Sequence, residues 1–188
     1  MKFTAGYWTI RPGVSPLFAE QVHEVETDDE GLTVYALTKR VANRGDTLNH
    51  PLLTLRISSP MPNVARVQIV HHKGVRPREP HFELFPAPGP VSISDGDDVA
   101  TLTSGDLTVR VAKGDDWSLD FLDGRTKITG SGHHATGLAD TPEGRFIHEQ
   151  LDIGVGECIY GLGERFTPFV KNGQVVDLWN EDGGTSSE

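Results

Sequence analysis

Cysteine is almost absent from this chain. Cys158 stands alone, so no disulfide can form within it. Long apolar runs are absent too. No stretch of eighteen apolar residues exists, which excludes a membrane-spanning helix. The opening MKFTAGYWTI has one lysine, no apolar core and no small-residue cleavage site, so no secretory leader is expected. Positive charge is scarce: 17 Lys and Arg face 27 Asp and Glu, a net charge of −10 at pH 7. The bases are scattered, as at Lys39-Arg40, Arg76 and Arg78, whereas nucleic acid needs them clustered against its phosphates. Nucleic acid is therefore excluded as a partner, and a cytoplasmic location is expected. Sustained 3.6-residue apolar periodicity is also missing, which argues against a helical fold.

Glycine and proline are plentiful, 21 and 12 in 188 residues. They divide the chain into short β-favouring runs, the pattern of an all-β domain. Trp117, Leu119 and Phe121 alternate with Ser118 and Asp120, then Asp123-Gly124 leads into Arg125 to Thr129. Asp-Gly between two such runs predicts a hairpin with a type I′ turn. A second hairpin joins Val99 to Thr103 with Leu107 to Val111 across Ser104-Gly105. Glu20 to Thr27 can pair with Leu32 to Val41 through Asp28-Asp29-Glu30-Gly31. Leu52 to Ser58, Ala65 to Val70 and Val91 to Ser94 complete the readable strands. The expectation is an antiparallel β-sandwich with helix below about 10 %. Pro-rich connections lie at 59–62 and 77–90. The second is expected to pack on the body through Phe82, Leu84 and Phe85.

Few residues invite a chemical reading. His71-His72 and His133-His134 are adjacent pairs. Neighbours on a strand face opposite ways, so neither pair suits one metal, and both read as surface or loop histidines. His81 and His148 are lone. Gly161-Leu162-Gly163 lacks the third glycine and following helix of a dinucleotide fingerprint, and reads as a tight bend or a close backbone approach. Cys158, beside Ile159, reads as a structural thiol on a half-buried strand, and Glu164-Arg165 as a buried or half-buried ion pair. Asp95, Asp97, Asp98, Asp115 and Asp116 read as turn residues. No metal or cofactor is expected. The run Trp179-Asn180-Glu181-Asp182-Gly183-Gly184 differs. It sets a flat ring beside amide and carboxylate groups on a glycine-ended loop. A plain turn and a sugar contact both fit: aromatic faces cover the C–H side of sugars while Asp and Asn take hydroxyls.

Tyr160-Gly161-Leu162-Gly163-Glu164-Arg165-Phe166, the Asn172-Gly173 hairpin turn, and Trp179-Asn180 followed by Asp182-Gly183-Gly184-Thr185 together resemble the end of the N-terminal β-sandwich of family 31 glycoside hydrolases, in their bacterial α-xylosidase-like branch. The resemblance implies a galactose-mutarotase-like supersandwich over 1–156. It also implies that 157–188 ends the sandwich and forms a substrate loop leading towards a (β/α)8 catalytic barrel. The chain then reads as a piece of a longer protein, as its ending inside this run also suggests. Family members retain anomeric configuration with two barrel carboxylates about 5–5.5 Å apart. Neither is expected within these residues, which contain no Asp-Met dipeptide of the family's nucleophile strand. The resemblance makes Asp182 the main substrate-contacting residue, with Trp179, Asn180 and Glu181 as weaker candidates. The implied partners are a terminal α-xyloside or α-glucoside and the barrel of the same parent, with room for a homo-oligomeric parent. Two rivals stand beside this reading: a stand-alone carbohydrate-binding module, which needs a platform of exposed aromatics, and a mutarotase- or epimerase-like enzyme, which shares the fold type and needs a His acid and a Glu or Asp base in one cleft.

Overall fold

The computed structural model describes residues 4–5, 9–48, 50–70, 87–164 and 166–178. The chain divides into two compact units, one of residues 13–152 and one of residues 1–12 with 153–188. In the second unit β1 (Thr4–Ala5) pairs antiparallel with β2 (Thr9–Ile10). The first unit holds β3 (Ser15–Phe18), β4 (Gln21–Asp28), β5 (Gly31–Leu37), β6 (Leu52–Met61), β7 (Val64–Val70), β8 (Val91–Asp95), β9 (Val99–Ser104), β10 (Leu107–Ala112), β11 (Leu119–Asp123), β12 (Thr126–Ser131), β13 (Gly137–Thr141) and β14 (Gly144–His148). About half of the described residues are strand. The helical ones are a single 3-10 turn, Arg44–Thr47. The expected all-β antiparallel sandwich is what forms.

Two meanders supply the layers. One sheet runs β4-β5-β6-β7 and the other β12-β11-β10-β9-β8, every neighbouring pair antiparallel. Side chains on a strand alternate faces. Leu32, Val34 and Ala36 of β5, with Leu53, Leu55 and Ile57 of β6, therefore point one way and are fully buried. They form one apolar cluster with Ala100 and Leu102 of β9, Val109 and Val111 of β10, and Leu119 of β11. Burying each Val, Leu or Ile is worth about 1.5–3 kcal/mol. A third sheet, β14-β13-β3, was not readable as strands. β13 (GLADT) is buried at three successive residues, so it shows no alternation, and Pro16 sits inside β3.

The turns follow local chemistry. Asp28 Oδ1 accepts from Glu30 N–H at 2.9 Å and Gly31 N–H at 3.0 Å, closing the expected β4–β5 hairpin. The Arg56 guanidinium donates to the same oxygen at 2.7 Å. That bond, with the turn amides, holds the Asp28 carboxyl down at about 2. The β11–β12 hairpin also forms, but its turn is not type I′. Asp123 pairs with Thr126, so Gly124 and Arg125 are the central residues, and Gly124 has φ +56° while Arg125 is not in the left-handed region. That is the type II′ pattern, with glycine at the first central position. The residues expected to pack the 77–90 connection, Phe82, Leu84 and Phe85, lie outside the described residues.

β11 is covered on both faces, and this buries a charge. Asp120 is only 5 % exposed. Arg110 donates to its Oδ2 at 2.6 Å and Lys127 Nζ lies 2.9 Å from its Oδ1. Burial pushes this carboxyl up, but the two cations outweigh it and hold it below the usual carboxylate range. Lys127 also reaches Asp152 at 2.9 Å, and bonds to Asp152 and Asp120 raise its own pKa. The stretch 149–152 is thereby drawn along β12: Asp152 N–H donates to the Gly130 carbonyl at 2.9 Å and Thr129 Oγ1 to the Asp152 carbonyl at 2.7 Å. A Cβ on Gly130 would come within 2.7 Å of Asp120 Oδ1, so the pair needs glycine there.

Two outcomes test this account. A Cβ on Gly31 would stand 2.0 Å from the Ile57 carbonyl oxygen, a backbone atom held in the β5–β6 ladder. Gly124 has open space and only its positive φ. Urea titrations should show Gly31→Ala costing roughly 3 kcal/mol or more and Gly124→Ala about 1–2 kcal/mol; equal losses would refute the close-approach argument. Asp120→Asn should cost about 1–2 kcal/mol near neutrality, since both cations are half exposed and rehydrate. Because the Asp120 carboxyl is depressed, its contribution is complete above the unfolded value near ~3.9 and disappears as pH falls through the folded value. Wild type should therefore lose stability more steeply below about pH 4 than Asp120→Asn. Parallel pH profiles would count against the pair.

Candidate functional site

Trp179, Asn180, Glu181 and Asp182 lie outside the described residues; the stretch leading to them does not. Among the described residues from Ile153 to Leu178 there is neither strand nor helix. Asn172-Gly173 makes a turn, with Gln174 N–H donating to the Lys171 carbonyl at 3.0 Å and Gly173 at φ +73°, but no strands flank it, so the expected hairpin is not formed among the described residues. Gly161, Leu162 and Gly163 are all left-handed, at φ +96°, +68° and +85°. Among the described residues nothing lies within 4 Å of a Cβ placed on either glycine, so of the two readings offered for this triplet the tight bend is the one these residues show. Leu162 in this conformation is strained by roughly 1–2 kcal/mol.

Two expectations fail in this stretch. Cys158 is exposed and on no strand, with Sγ 3.9 Å from the Gly156 carbonyl. Its place beside Ile159 suggested a half-buried strand, but the apolar side chains of this stretch are exposed as well: Val155, Ile159, Tyr160, Phe166 and Phe169 all face out, Phe166 at 89 % and Phe169 at 79 %. Glu164 is likewise exposed rather than buried, and Arg165 lies outside the described residues.

The histidines sort cleanly. His71, His72 and His81 lie outside the described residues. His133 and His134 occupy the exposed turn between β12 and β13, with ring centroids 3.7 Å apart. His134 stacks on Phe18 at 4.7 Å and has φ +59°. His148 Nδ1 lies 2.9 Å from the Ala135 carbonyl. Among the described residues no group of three or more His, Cys, Asp or Glu could hold a metal.

Two pockets of the first unit bear on chemistry. The larger, about 620 Å³, opens among Val67 and Ile69 of β7, Phe121 of β11, Ile128 of β12, Ile147 of β14 and Leu151. Its polar lining is Thr129 and Glu149, and Glu149 is already bonded to the Ser131 hydroxyl. A sugar needs several convergent donors and acceptors, and this lining does not offer them. A second pocket of about 320 Å³ brings together His23, His50 and Asp46. Those residue types could serve an epimerase. However, Asp46 receives Lys39 at 2.8 Å and the N–H groups of Ala42 and Asn43 at 3.1 and 3.0 Å. These bonds, that from Lys39 first, lower its pKa, which makes it a poor proton acceptor at neutral pH.

The comparisons with known proteins point elsewhere. The family described as glycosyl hydrolase 31 N-terminal galactose mutarotase-like domain matches residues 54–188. The chain is 38 % identical over 190 residues to the α-xylosidase XylQ of Lactiplantibacillus pentosus, covering all of this chain and 25 % of that protein. It is 37 % identical over 210 residues to an α-xylosidase of Emericella nidulans, covering all of this chain and 27 % of that protein. The chain thus spans about a quarter of the length of the curated relatives it matches. Two crystal structures of the uncharacterized protein lmo2446 from Listeria monocytogenes share the fold, with TM-scores of 0.61 and 0.59 at 16 % and 17 % identity. Each match covers 86 % of this chain and 14 % of that one; the second structure is a complex with α-D-glucose, β-D-glucose, magnesium and calcium.

Proposed function

This chain belongs to the glycosyl hydrolase 31 N-terminal galactose mutarotase-like domain family, and we propose that it serves as the non-catalytic N-terminal domain of a retaining α-xylosidase-like glycosidase. The observation that carries this is the match along its whole length to two α-xylosidases, each about four times as long. The enzyme would hydrolyse terminal α-xylosidic or α-glucosidic bonds in the cytoplasm. Its nucleophile and acid/base would come from a barrel beyond the residues described here.

Two roles follow for this chain. The first is to pack on the barrel. The exposed apolar side chains between Val155 and Leu178 support this, because a soluble surface rarely carries so many in one short stretch. Residues 1–156 would form the sandwich, and 157–188 would close it and run on as the substrate loop. The second role is to lend that loop to the sugar site. Asp182 would accept from substrate hydroxyls, with Trp179, Asn180 and Glu181 as lesser contacts. Carbohydrate binding would then belong to the assembled enzyme, not to this chain alone. The apolar lining of the larger pocket and the engaged Asp46 both support this over a self-sufficient binding module or an epimerase.

Kinetics test the reading. The 188-residue chain alone should leave 4-nitrophenyl α-xyloside and α-glucoside unhydrolysed above the uncatalysed rate. Turnover abolished by mutating one of its own carboxylates would overturn the proposal. In the full-length enzyme, Asp182→Ala should lower kcat/KM by roughly 10- to 100-fold, the loss of a charge-assisted hydrogen bond. The melting temperature should hardly change. A full-length Asp182→Ala enzyme with wild-type kinetics would leave the Asn-Glu-Asp-Gly-Gly run as a plain turn.

A further inference from the structure

The two meanders of the 13–152 unit do not match in width. One sheet has four strands and the other five. Across the core β5 lies against β8 and β9, β6 against β9, and β7 against β10. β11 and β12 come next in the second sheet, but among the described residues no strand of the first sheet follows β7. The inward side chains record the difference. Those of β5 and β6 are fully buried, whereas Val67 and Ile69 of β7 are half-buried and Ile128 of β12 is 55 % exposed. The opening this leaves is the groove of about 620 Å³, which Phe121, Ile147 and Leu151 also line. All of these residues belong to the 13–152 unit.

We propose that an extended segment of the parent enzyme, from outside residues 1–188, pairs with the free edge of β7 as a fifth strand and fills this groove. The proposal rests on the reading of this chain as one domain of a longer glycosidase. The geometry suits a strand. A strand added to β7 would stand about 4.8 Å further along the sheet. β7 faces β10, so the added strand would face β11 and β12, where the opening lies. Alternate N–H and C=O groups of β7 point away from β6 and would carry the ladder. One side chain in two would enter the groove, and the lining calls for apolar ones. Its only polar members are Thr129 and Glu149, and Glu149 is held by Ser131. An unpaired edge beside an open apolar core invites aggregation, so soluble proteins cover it. The chain makes up 25 % and 27 % of the two α-xylosidases, which leaves about three quarters of such a polypeptide to supply the cover. Other sources fit less well. Two copies of this chain would each bring a net charge of −10 to the contact. The sequence after β7 carries Pro77, Pro80 and Pro86, and each proline removes a ladder donor.

Hydrogen–deuterium exchange of the 188-residue chain and of the full-length enzyme tests this. In the 188-residue chain the β7 amides turned away from β6 should exchange freely. In the full-length enzyme they should exchange more slowly by roughly tenfold or more. β5 and β6 should be protected in both, which shows that the shorter chain is folded. Ile128→Ser in the full-length enzyme is a second arm that does not need the shorter chain. There β7 and a peptide from outside residues 1–188 should gain exchange together while β5 and β6 do not. If serine unfolds the enzyme, the wild-type comparison decides. Protection of β7 already complete in the 188-residue chain overturns the proposal: the chain's own residues fill the groove, or a second copy does if protection grows with concentration. A gain at 71–86 in place of an outside peptide overturns it too. So does slower exchange around Ile128 with β7 unchanged, which means a cover without a ladder. If β7 exchanges freely in both forms while the enzyme hydrolyses 4-nitrophenyl α-xyloside, the domain reading stands and the fifth strand is wrong. If β7 is protected as expected in an enzyme inactive on α-xyloside and α-glucoside, the strand stands and the activity reading is wrong.

Discussion

The alternate-face burial of four strands, β5, β6, β9 and β10, sets the terms for the rest of the 13–152 unit. One residue in two enters a shared apolar cluster, and a register slip of a single residue would turn Leu53, Leu55 and Ile57 out to solvent together. That constraint fixes the ladders, and the ladders decide where glycine is needed. Gly31 is such a place, because the ladder brings Ile57's carbonyl where a side chain would stand. Gly130 is another, because β12 runs beside the buried Asp120. The polar chemistry here serves the fold. Asp120 has the depressed pKa and burial that often mark a catalytic group. Both its oxygens, however, are occupied by Arg110 and Lys127, leaving no free face for a substrate.

How much of this was legible in the sequence depended on whether a strand has one wet face. β5, β7, β9 and β10 alternate, and each was readable. β13 does not alternate, because its first three residues are buried on both faces, and the whole β14-β13-β3 sheet was missed with it. Asp120 misled for a related reason. Between Leu119 and Phe121 it reads as an outward, solvated residue, but Arg110 of β10 and Lys127 of β12 close on it from the two neighbouring strands, a contact with no local signal. The Asp-Gly dipeptide announced its hairpin correctly and its turn type wrongly. Ladder register, not the dipeptide, chose Gly124 and Arg125 as the central pair.

The candidate site shows the opposite balance. Its residues, Trp179 to Asp182, were singled out by composition and by the resemblance, and they lie outside the described residues. The organisation that precedes the motif was not legible. Cys158 and Ile159 look like part of a half-buried strand, and alternation gives no warning that the Asn172 carboxamide, thirteen residues on, will accept the Ile159 N–H instead of a ladder partner. Side-chain amides that satisfy backbone groups are common where regular pairing stops, since unmet N–H and C=O groups are costly. Their partners are distant in sequence, so only coordinates reveal them.

The unit containing 153–178 has fewer than fifty residues, and chains near that size seldom bury enough apolar surface to hold together without staples, metals or neighbours. This one has no disulfide, and its aromatic residues Phe166 and Phe169 face outward. What it does have is a set of directional polar bonds centred on Lys171 and Asn172. Such bonds fix shape well but contribute little net stability, about 0.5–1.5 kcal/mol each. A stretch built this way is defined in local conformation while its apolar surface stays available. That division of labour suits a segment whose stability comes from the body it docks on.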